Sequence, residues 1–481
     1  MRLQIVLRYV GVVLLIFAGF MLASACIAWI SGPDSSFYPL LLSAMLTALL
    51  GAFPLIFVQR QEKISSKEGF CIVVGSWLVA CVVGMFPYLI WGGEFSLINA
   101  WFESVSGLTT TGASILTDIE ALPRGLLFWR NSTAWVGGIG VVLFALLILP
   151  AMGRSKRVLS NVEISSIAKD DFHYRTQSIV QIILSVYVGI TIISTLMLKL
   201  SGMNWFDSLN HAMSAAATCG FSTKNLSIAF FDSAIIESVL ICTMLISGIH
   251  FGLIYTTITG RRDNIWRSEV TRSLLYFILF GSIAIALSLW INDIYPTFWS
   301  SLRHAAFQFV ALVTTSGFAT ADTNTWTSFS IILLIFGSIV CASAGSTSGG
   351  LKFNRLFLAG KMLISRLKHQ QHPNAVIRVR VDGVIQEDET IHTAMVFIVT
   401  YMMFILLGTL INTLFGNDLM TGFSSAVACI GNVGPGFGDV GSMSNYSSQP
   451  IILKFSSTML MLFGRLEIFG LVQLFFLKWW R

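Results

Sequence analysis

Four short polar stretches interrupt an otherwise apolar chain: TTGA at 110–113, TCGF at 218–221, TSGF at 315–318 and NVGP at 432–435. Each sets a Thr or Asn two residues before a glycine. The glycines are Gly112, Gly220, Gly317 and Gly434, at intervals of 108, 97 and 117 residues. These residue types suit one kind of chemistry. Glycine reaches φ > 0 without a Cβ penalty, so it lets a backbone turn its carbonyl oxygens toward a common point. Rings of such oxygens replace the hydration shell of a cation. Thr110, Thr218, Thr315 and Asn432 each add a side-chain oxygen. One copy of such a stretch is an ordinary turn. Four copies in equivalent surroundings predict an ion selectivity filter built from Thr110, Thr111 and Gly112; Thr218, Cys219 and Gly220; Thr315, Ser316 and Gly317; and Asn432, Val433 and Gly434.

A filter needs elements to hold it, and the composition says what kind. Of the 481 residues, 55% are hydrophobic and 11% charged, against roughly a quarter charged in a soluble domain. The mean hydropathy is +0.77. This is the composition of an integral membrane protein. Ten runs are long enough to span a hydrocarbon core: 9–30, 38–58, 70–91, 126–150, 178–200, 234–258, 273–291, 328–360, 390–414 and 450–478. Between spans, before each polar stretch, lies a helix-length segment too short to cross: 97–109, 205–217, 302–314 and 418–430. The unit is therefore span, short helix, loop, span, four times in the same direction, after two extra spans. Irregular backbone at membrane depth survives only inside protein or along a water-filled path, which puts the four loops around one axis. The expected fold is all-α, with two N-terminal helices and four parallel helix–pore-helix–filter-loop–helix repeats around a central pore, ten transmembrane helices in all. The expected boundaries are 1–69 for the extra helices and 70–177, 178–272, 273–389 and 390–481 for the four repeats, the third carrying a gate loop.

Charge gives the orientation. With both termini in the cytoplasm, 23 of the 30 lysines and arginines fall on that side, as the positive-inside bias requires. The other side holds 12 of the 24 acids, among them Glu94, Glu103, Asp118, Glu120 and Asp207. An acidic mouth concentrates cations. The N-terminus imitates a signal peptide, with Arg2 and Arg8 before an apolar run ending in ASAC at 23–26, and is expected to be an uncleaved first helix. None of the seven cysteines forms a CxxC pair, so helix packing is their expected role.

Two features lie beneath the stretches. CASAGSTSGGLK (341–352) breaks the eighth span. Gly345, Ser346, Thr347, Ser348, Gly349 and Gly350 cannot form a stable helix mid-membrane, so they are either a kink satisfied by neighbouring helices or a loop lining the pore. A glycine-rich segment without apolar contacts belongs at the low-stability end of a structure, as a moving part should. Arg465 lies mid-way along the last span, where an arginine must face the bundle interior or water. Glu467, two residues on, does not share its helix face. Arg465 is expected to point at the pore axis; a snorkelling or ion-paired arginine is the alternative.

Taken together, ESVSGLTTTGA (103–113), WVGGIGVVLFALLILPAMG (135–153), TCGFST (218–223), TTSGFAT (314–320), CASAGSTSGGLK (341–352), HPNA (372–375), NVGPGFG (432–438) and LFGRLEIF (462–469) give the chain, over nearly its whole length, a resemblance to the Trk/Ktr/HKT potassium transporters, bacterial TrkH-like proteins in particular. The resemblance implies potassium as the transported ion, with no cofactor in this chain. Members with serine in the first filter loop tend to pass sodium; here that position is Gly112. It implies that 345–350 form an intramembrane gate below the filter and that Arg465 raises the barrier to cations there. It implies a homodimer in the bacterial cytoplasmic (inner) membrane, and a separate cytosolic nucleotide-binding subunit, TrkA-like, that gates the pore. The basic loops 151–177, 259–272 and 352–389 are its expected docking surface, or ordinary positive-inside loops. PAMGRSKRVLSNVE (150–163) departs from the family pattern, which usually continues there with glycines and an aromatic.

Rival functions fit less well. A proton- or sodium-coupled symporter of potassium is the alternative, but inverted-repeat transporters have repeats of opposite orientation. An intramembrane enzyme could draw on Ser346, Ser348, His211, His250 and His304, but no G-x-S-x-G elbow appears and no Ser–His pair follows from spacing. No P-loop or nucleotide-binding glycine fingerprint is present. Membrane lipid is an expected partner; nucleic acid is not.

Overall fold

The computed structural model describes residues 2–32, 34–59, 65–148, 176–260 and 264–475. The stretch 150–163, and nearly all of the expected docking loop 151–177, lie outside them. The described chain is helical apart from one two-residue hairpin, β1 (Arg380–Val381) with β2 (Val384–Ile385).

Helices α1 (Leu3–Ile30) and α2 (Phe37–Phe57) pack closely on each other. Their glycines allow it: a Cβ on Gly11 would meet the Gly51 carbonyl at 2.6 Å, and one on Gly51 would meet the Gly11 carbonyl at 2.8 Å. Small residues at a crossing let two membrane helices approach. α1 also lies against α3 (Ser66–Gly84) and α6 (Arg124–Ile148). α4 (Phe86–Trp91) continues α3.

Six helical stretches among the described residues are long and apolar enough to cross a membrane: Leu3–Ile30, Phe37–Phe57, Lys67–Trp91, Val180–Leu200, Glu269–Ile291 and Asp388–Leu414. They match six of the ten expected spans. α9 (Ala234–Ser247) and α10 (Phe251–Ile258) pass the same test together but bend by 102°. The eighth expected span is divided, as its glycines predict, into α13 (Ser328–Val340) and α14 (Phe353–Gln371). The tenth is also divided, into α17 (Ile451–Arg465) and α18 (Phe469–Phe475), with Glu467 and Ile468 at φ 52° and 33°. The breaks at 248–250 and 466–468 are not anticipated by the sequence pattern, since no proline marks them.

Four short helices hold the polar stretches: α5 (Leu97–Leu108), α8 (Trp205–Ala217), α12 (Phe298–Val313) and α16 (Leu419–Ile430). Each starts on a side-chain cap. Ser96, Asn204, Thr297 and Asp418 accept from the backbone N–H three residues on, which satisfies a donor left open at the helix start. At 12 to 16 residues and 1.5 Å per residue they are about 18–24 Å long, short of a ~30 Å hydrocarbon core. Their packing runs in a circle. α8 lies on α6, α12 on α9, α16 on α13, and α5 on α17. Each short helix thus rests on the helix that follows the preceding loop, and the last closes on the first. Remaining long helices are α7 (Thr176–Leu200), α11 (Glu269–Ile291) and α15 (Asp388–Leu414), which pack against α8, α12 and α16 respectively.

Candidate functional site

All four polar stretches adopt one backbone form. Thr110, Thr218, Thr315 and Asn432 are left-handed, at φ 52°, 53°, 60° and 53°. Thr218 is the C-cap of its helix and the other three follow the C-cap directly, and each makes the same pair of bonds. Its N–H donates to the carbonyl three residues back, and the next residue's N–H donates to the carbonyl five back: Thr111 to Ser106, Cys219 to Ser214, Ser316 to Ala311 and Val433 to Ala428, at 2.8–3.0 Å. This is the Schellman end of a helix. The position usually belongs to glycine. A β-branched threonine there costs roughly 1–2 kcal/mol, and strain of this kind gathers at functional sites. Gly112, Gly220, Gly317 and Gly434 follow at φ 78°, 93°, 69° and 99°.

The stretches meet. A Cβ on Gly112 would overlap the carbonyl oxygen of Cys219; on Gly220, that of Ser316; on Gly317, that of Val433; and on Gly434, that of Thr111. Loop one touches two, two touches three, three touches four, and four touches one. The glycines are therefore required twice, for φ and for room. All four line one cavity, and the carboxyl ends of four helices, the negative ends of their dipoles, abut the ring. Two side-chain oxygens of the expected set, Thr110 Oγ1 and Asn432 Oδ1, are buried with no hydrogen-bond partner. Thr218 Oγ1 donates to the Ala217 carbonyl at 2.7 Å, and Thr315 Oγ1 accepts from the Gly349 N–H at 3.1 Å. Among the described residues no group of three or more His, Cys, Asp or Glu could hold a metal ion; the oxygens at the ring are carbonyl, hydroxyl and amide.

Behind the ring are residues that the sequence reading missed or misjudged. The side chain nine residues before each of the first three glycines holds its own loop. Glu103 accepts from Ser114 Oγ at 3.0 Å and from the Ile115 N–H at 3.1 Å. His211 bonds Ser222 Oγ at 2.9 Å, and Gln308 donates to the Ala321 carbonyl at 2.9 Å. Glu103 is also paired with Arg130 at 2.6 Å, both buried. Arg130 in turn donates to the Ser222 carbonyl at 3.0 Å and lies 3.5 Å from the centre of the Phe221 ring. One ion pair so ties loop one to loop two. Glu103, counted from sequence in the acidic mouth, is neutralised, and Asp207 is buried with bonds from Thr223 and Asn204 at 2.7 Å.

The His211–Ser222 bond is a serine–histidine pair that spacing did not reveal. His211 Nδ1 lies 2.8 Å from the Asp207 main-chain carbonyl. A carbonyl only accepts, so in the neutral ring Nδ1 carries the hydrogen, Nε2 accepts, and the Ser222 hydroxyl donates. A hydroxyl so used braces the loop. Ser346 is likewise occupied, donating to the Ser343 carbonyl at 2.6 Å and sharing a hydrogen with Ser348. His250 caps α10 through Nδ1, and His304 stacks on Tyr295.

Residues 345–350 lie directly against the ring. The Gly349 N–H reaches Thr315, and a Cβ on Gly349 would meet Asn432 and the Gly431 carbonyl at 2.7 Å. Thr347 Oγ1 bonds the carbonyls of Ala216 at 3.0 Å and Ser247 at 3.3 Å. Ser343 N–H reaches the Gly248 carbonyl, and the Phe251 N–H reaches the Gly345 carbonyl, both at 3.1 Å. These bonds occupy backbone groups freed at the α9–α10 bend, which accounts for a break without proline. Ser346, Thr347 and Ser348 are buried. The segment is a well-bonded plug, unlike the loosely held loop expected from its glycines.

Arg465 is buried and spans this region. Nη1 donates to the Thr347 carbonyl at 2.7 Å and Nη2 to the Gly137 carbonyl at 3.1 Å, while Nε has no partner. Glu467 is engaged by Arg355 at 2.8 Å. No carboxylate among the described residues forms an ion pair with Arg465, so neither the ion-paired nor the snorkelling alternative describes it.

Fold and site together define a multi-pass helical membrane protein with a four-part loop ring. The profile of the family described as "TrkH: Cation transport protein" matches residues 40–289 and 296–479. The Trk system potassium uptake protein TrkH of Salmonella typhimurium is 33% identical over 488 residues, covering all of both chains. The potassium uptake protein TrkG of Escherichia coli is 30% identical over 87% of this chain and 86% of its own. The crystal structure of the potassium transporter TrkH from Vibrio parahaemolyticus superimposes with a TM-score of 0.90 at 30% identity, covering all of both chains. This chain belongs to the TrkH family, which is a family of transporters and not of enzymes.

Proposed function

We propose that this protein takes up potassium across the bacterial cytoplasmic membrane through a channel-like pore. The four loops at 110–112, 218–220, 315–317 and 432–434 form its selectivity filter. Residues 345–350, with Arg465, form the gate. Ten membrane passes arise from two leading helices and four pore repeats bounded as 70–177, 178–272, 273–389 and 390–481, with both termini in the cytoplasm. A cytosolic nucleotide-binding subunit, TrkA-like, controls the gate, and the protein works as a homodimer.

The observation that carries this reading is the closed ring. Four loops in one strained conformation, each glycine against the next loop's carbonyl, support a cation path lined with oxygen. The dipole ends of the four short helices favour positive charge at the same place. Directly beneath lies a charge of the same sign as the cargo, Arg465, bonded to the segment that fills the path. At short range and low effective dielectric, that charge opposes a cation.

The test is ion flux into liposomes holding the purified full chain, with and without the cytosolic subunit. Potassium and rubidium are expected to enter down their gradients, and sodium and lithium to be held back. Equal uptake of sodium and potassium by the unaltered protein would overturn the filter. Uptake that runs only with a sodium or proton gradient in fixed proportion would replace the channel with a symporter.

A further inference from the structure

A second concave site lies at the far end of α14, away from the ring. It is a cavity of about 580 Å³ walled by the last turns of α14, the chain from Val376 to Val379 and the first turn of α15. Four basic side chains line it: Arg366 and His369 from α14, Arg378 from the connecting chain, and His392 from α15. Higher on α14 the cations are matched, Arg355 by Glu467 and Lys361 by Glu269, each at 2.8 Å. Arg366 and Arg378 form no ion pair among the described residues.

The wall supplied by α15 has the opposite sign, with Glu387 and Asp388 in the lining. A simple anion here would meet two carboxylates, and a simple cation would meet two guanidinium groups. A ligand bearing both charges finds a group of opposite sign on each wall. Guanidinium forks match the oxygens of a phosphate; carboxylates accept from an ammonium group. On the flank of the cavity, α14 exposes Leu363, Ile364 and Leu367, as a helix does where it meets acyl chains.

We propose that this cavity binds the headgroup of a phospholipid that carries a phosphate and a primary ammonium, as phosphatidylethanolamine does. The phosphate sits on Arg366 and Arg378, the ammonium on Asp388, and the acyl chains run along Leu363 to Leu367. α14 is the helix that begins at Phe353, directly after the plug segment. The lipid therefore braces the lower end of the gate's own helix. The inference rests on the cytoplasmic placement of this end proposed above.

The test compares three lipids at equal mole fraction on the full-length protein, by native mass spectrometry: phosphatidylethanolamine, phosphatidylglycerol without an ammonium, and phosphatidylcholine with a fully methylated one. The unaltered protein is expected to retain the first by about fivefold or more over the others, the size of one or two lost charged hydrogen bonds. R366Q/R378Q should lose the preference. D388N should shift it toward phosphatidylglycerol. Displacement by millimolar free phosphoethanolamine at an unchanged lipid fraction would assign the site to a soluble zwitterion of the same chemistry. Equal retention of all three lipids, or a preference untouched in both variants, overturns the proposal. So does loss of the cytosolic subunit's binding in the variants with lipid retention unchanged, which would make the cavity a protein-docking surface. Potassium flux measured on the same preparations separates the two readings, because a normal flux with no lipid preference fails this inference and leaves the pore standing.

Discussion

The four ring loops and the plug segment at 341–352 are built in opposite ways. Each ring loop is made locally: its helix cap, its left-handed residue and its first two hydrogen bonds all lie within seven residues. The same recipe appears four times. The segment at 341–352 is made once, and besides its local bonds it is anchored by distant partners. Its anchoring bonds go to Ala216 at the end of α8, to Ser247 at the end of α9, to Thr315 in the third ring loop and to Arg465 at the end of α17. A locally capped loop keeps its shape whatever its surroundings do. A segment held by three neighbours is released when one of them shifts. Under the proposed function, the ring is the fixed selective part and the segment the releasable closing part.

The largest test of that contrast strikes the ring. Gly112→Ser puts a Cβ into the Cys219 carbonyl at a residue with φ 78°. One quarter of the ring must move. Potassium-over-sodium selectivity in the flux assay is expected to fall at least about tenfold, equivalent to ~1.4 kcal/mol of discrimination. A well-folded variant with unchanged selectivity would remove Gly112 from the filter. Substitution at Gly360, where a Cβ meets nothing within 4 Å, should leave selectivity alone.

The seam between loops one and two comes next, because it is the part of the ring with a charged tie. Arg130→Ala leaves Glu103 buried and unpaired, a defect that costs roughly 3–5 kcal/mol when a buried pair is broken. Glu103→Gln/Arg130→Met removes both charges and should recover most of that loss. Thermal unfolding of the purified variants measures it, and additive single effects would show that the pair acts as two independent residues.

These two sites also show what the sequence could and could not reveal. The ring residues were legible because glycine and threonine at a repeated offset imply backbone geometry, and backbone geometry is local. The short helices were legible from their length, and their caps Ser96, Asn204, Thr297 and Asp418 were there to be read. Arg130 was not, since its partner Glu103 stands 27 residues away and nothing in spacing places the two face to face. The bend at 248–250 was hidden for the same reason. Gly248 alone does not predict it, and the groups that occupy the broken backbone come from 343–347. The glycines of 345–350 were read as looseness, when what they permit is close approach to His250, Asn432 and Cys341.

Arg465 sharpens the comparison from below. Its two bonds join the Thr347 carbonyl to the Gly137 carbonyl of α6, so under the proposed function it both charges the path and pins the segment to α6. Arg465→Ala removes both effects, and potassium flux without the cytosolic subunit is expected to rise several-fold. Arg465→Lys keeps the charge but has no fork to span both carbonyls. A rise in the alanine variant alone would assign the closing role to charge, whereas an equal rise in both would assign it to the pin. Unchanged flux in the alanine variant would leave Arg465 outside the path.

The smallest effect is the most specific. Among the described residues, Thr347 is the segment's one side-chain link to this region, through hydroxyl bonds to Ala216 at the end of a ring helix and to Ser247 at the α9–α10 bend, beside main-chain bonds at Ser343, Gly345 and Thr347. Thr347→Val keeps the volume and β-branching of the side chain and removes only the hydroxyl. Those bonds are worth about 1 kcal/mol net. The Ala216 and Ser247 carbonyls left behind belong to helix ends and lose an acceptor interaction without gaining a buried charge. If the plug is in equilibrium between held and released states, 1 kcal/mol against the held state shifts that equilibrium about fivefold. Resting flux should rise by that factor or less, with selectivity unchanged because no ring bond has been touched. Deleting 345–350 in a still-folded protein is the coarse form of the same experiment and should raise flux further while weakening control by the cytosolic subunit. A threonine-to-valine variant that altered selectivity and left resting flux unchanged would reverse the division of labour, making the segment a support for the ring and sending the search for the gate to Arg465.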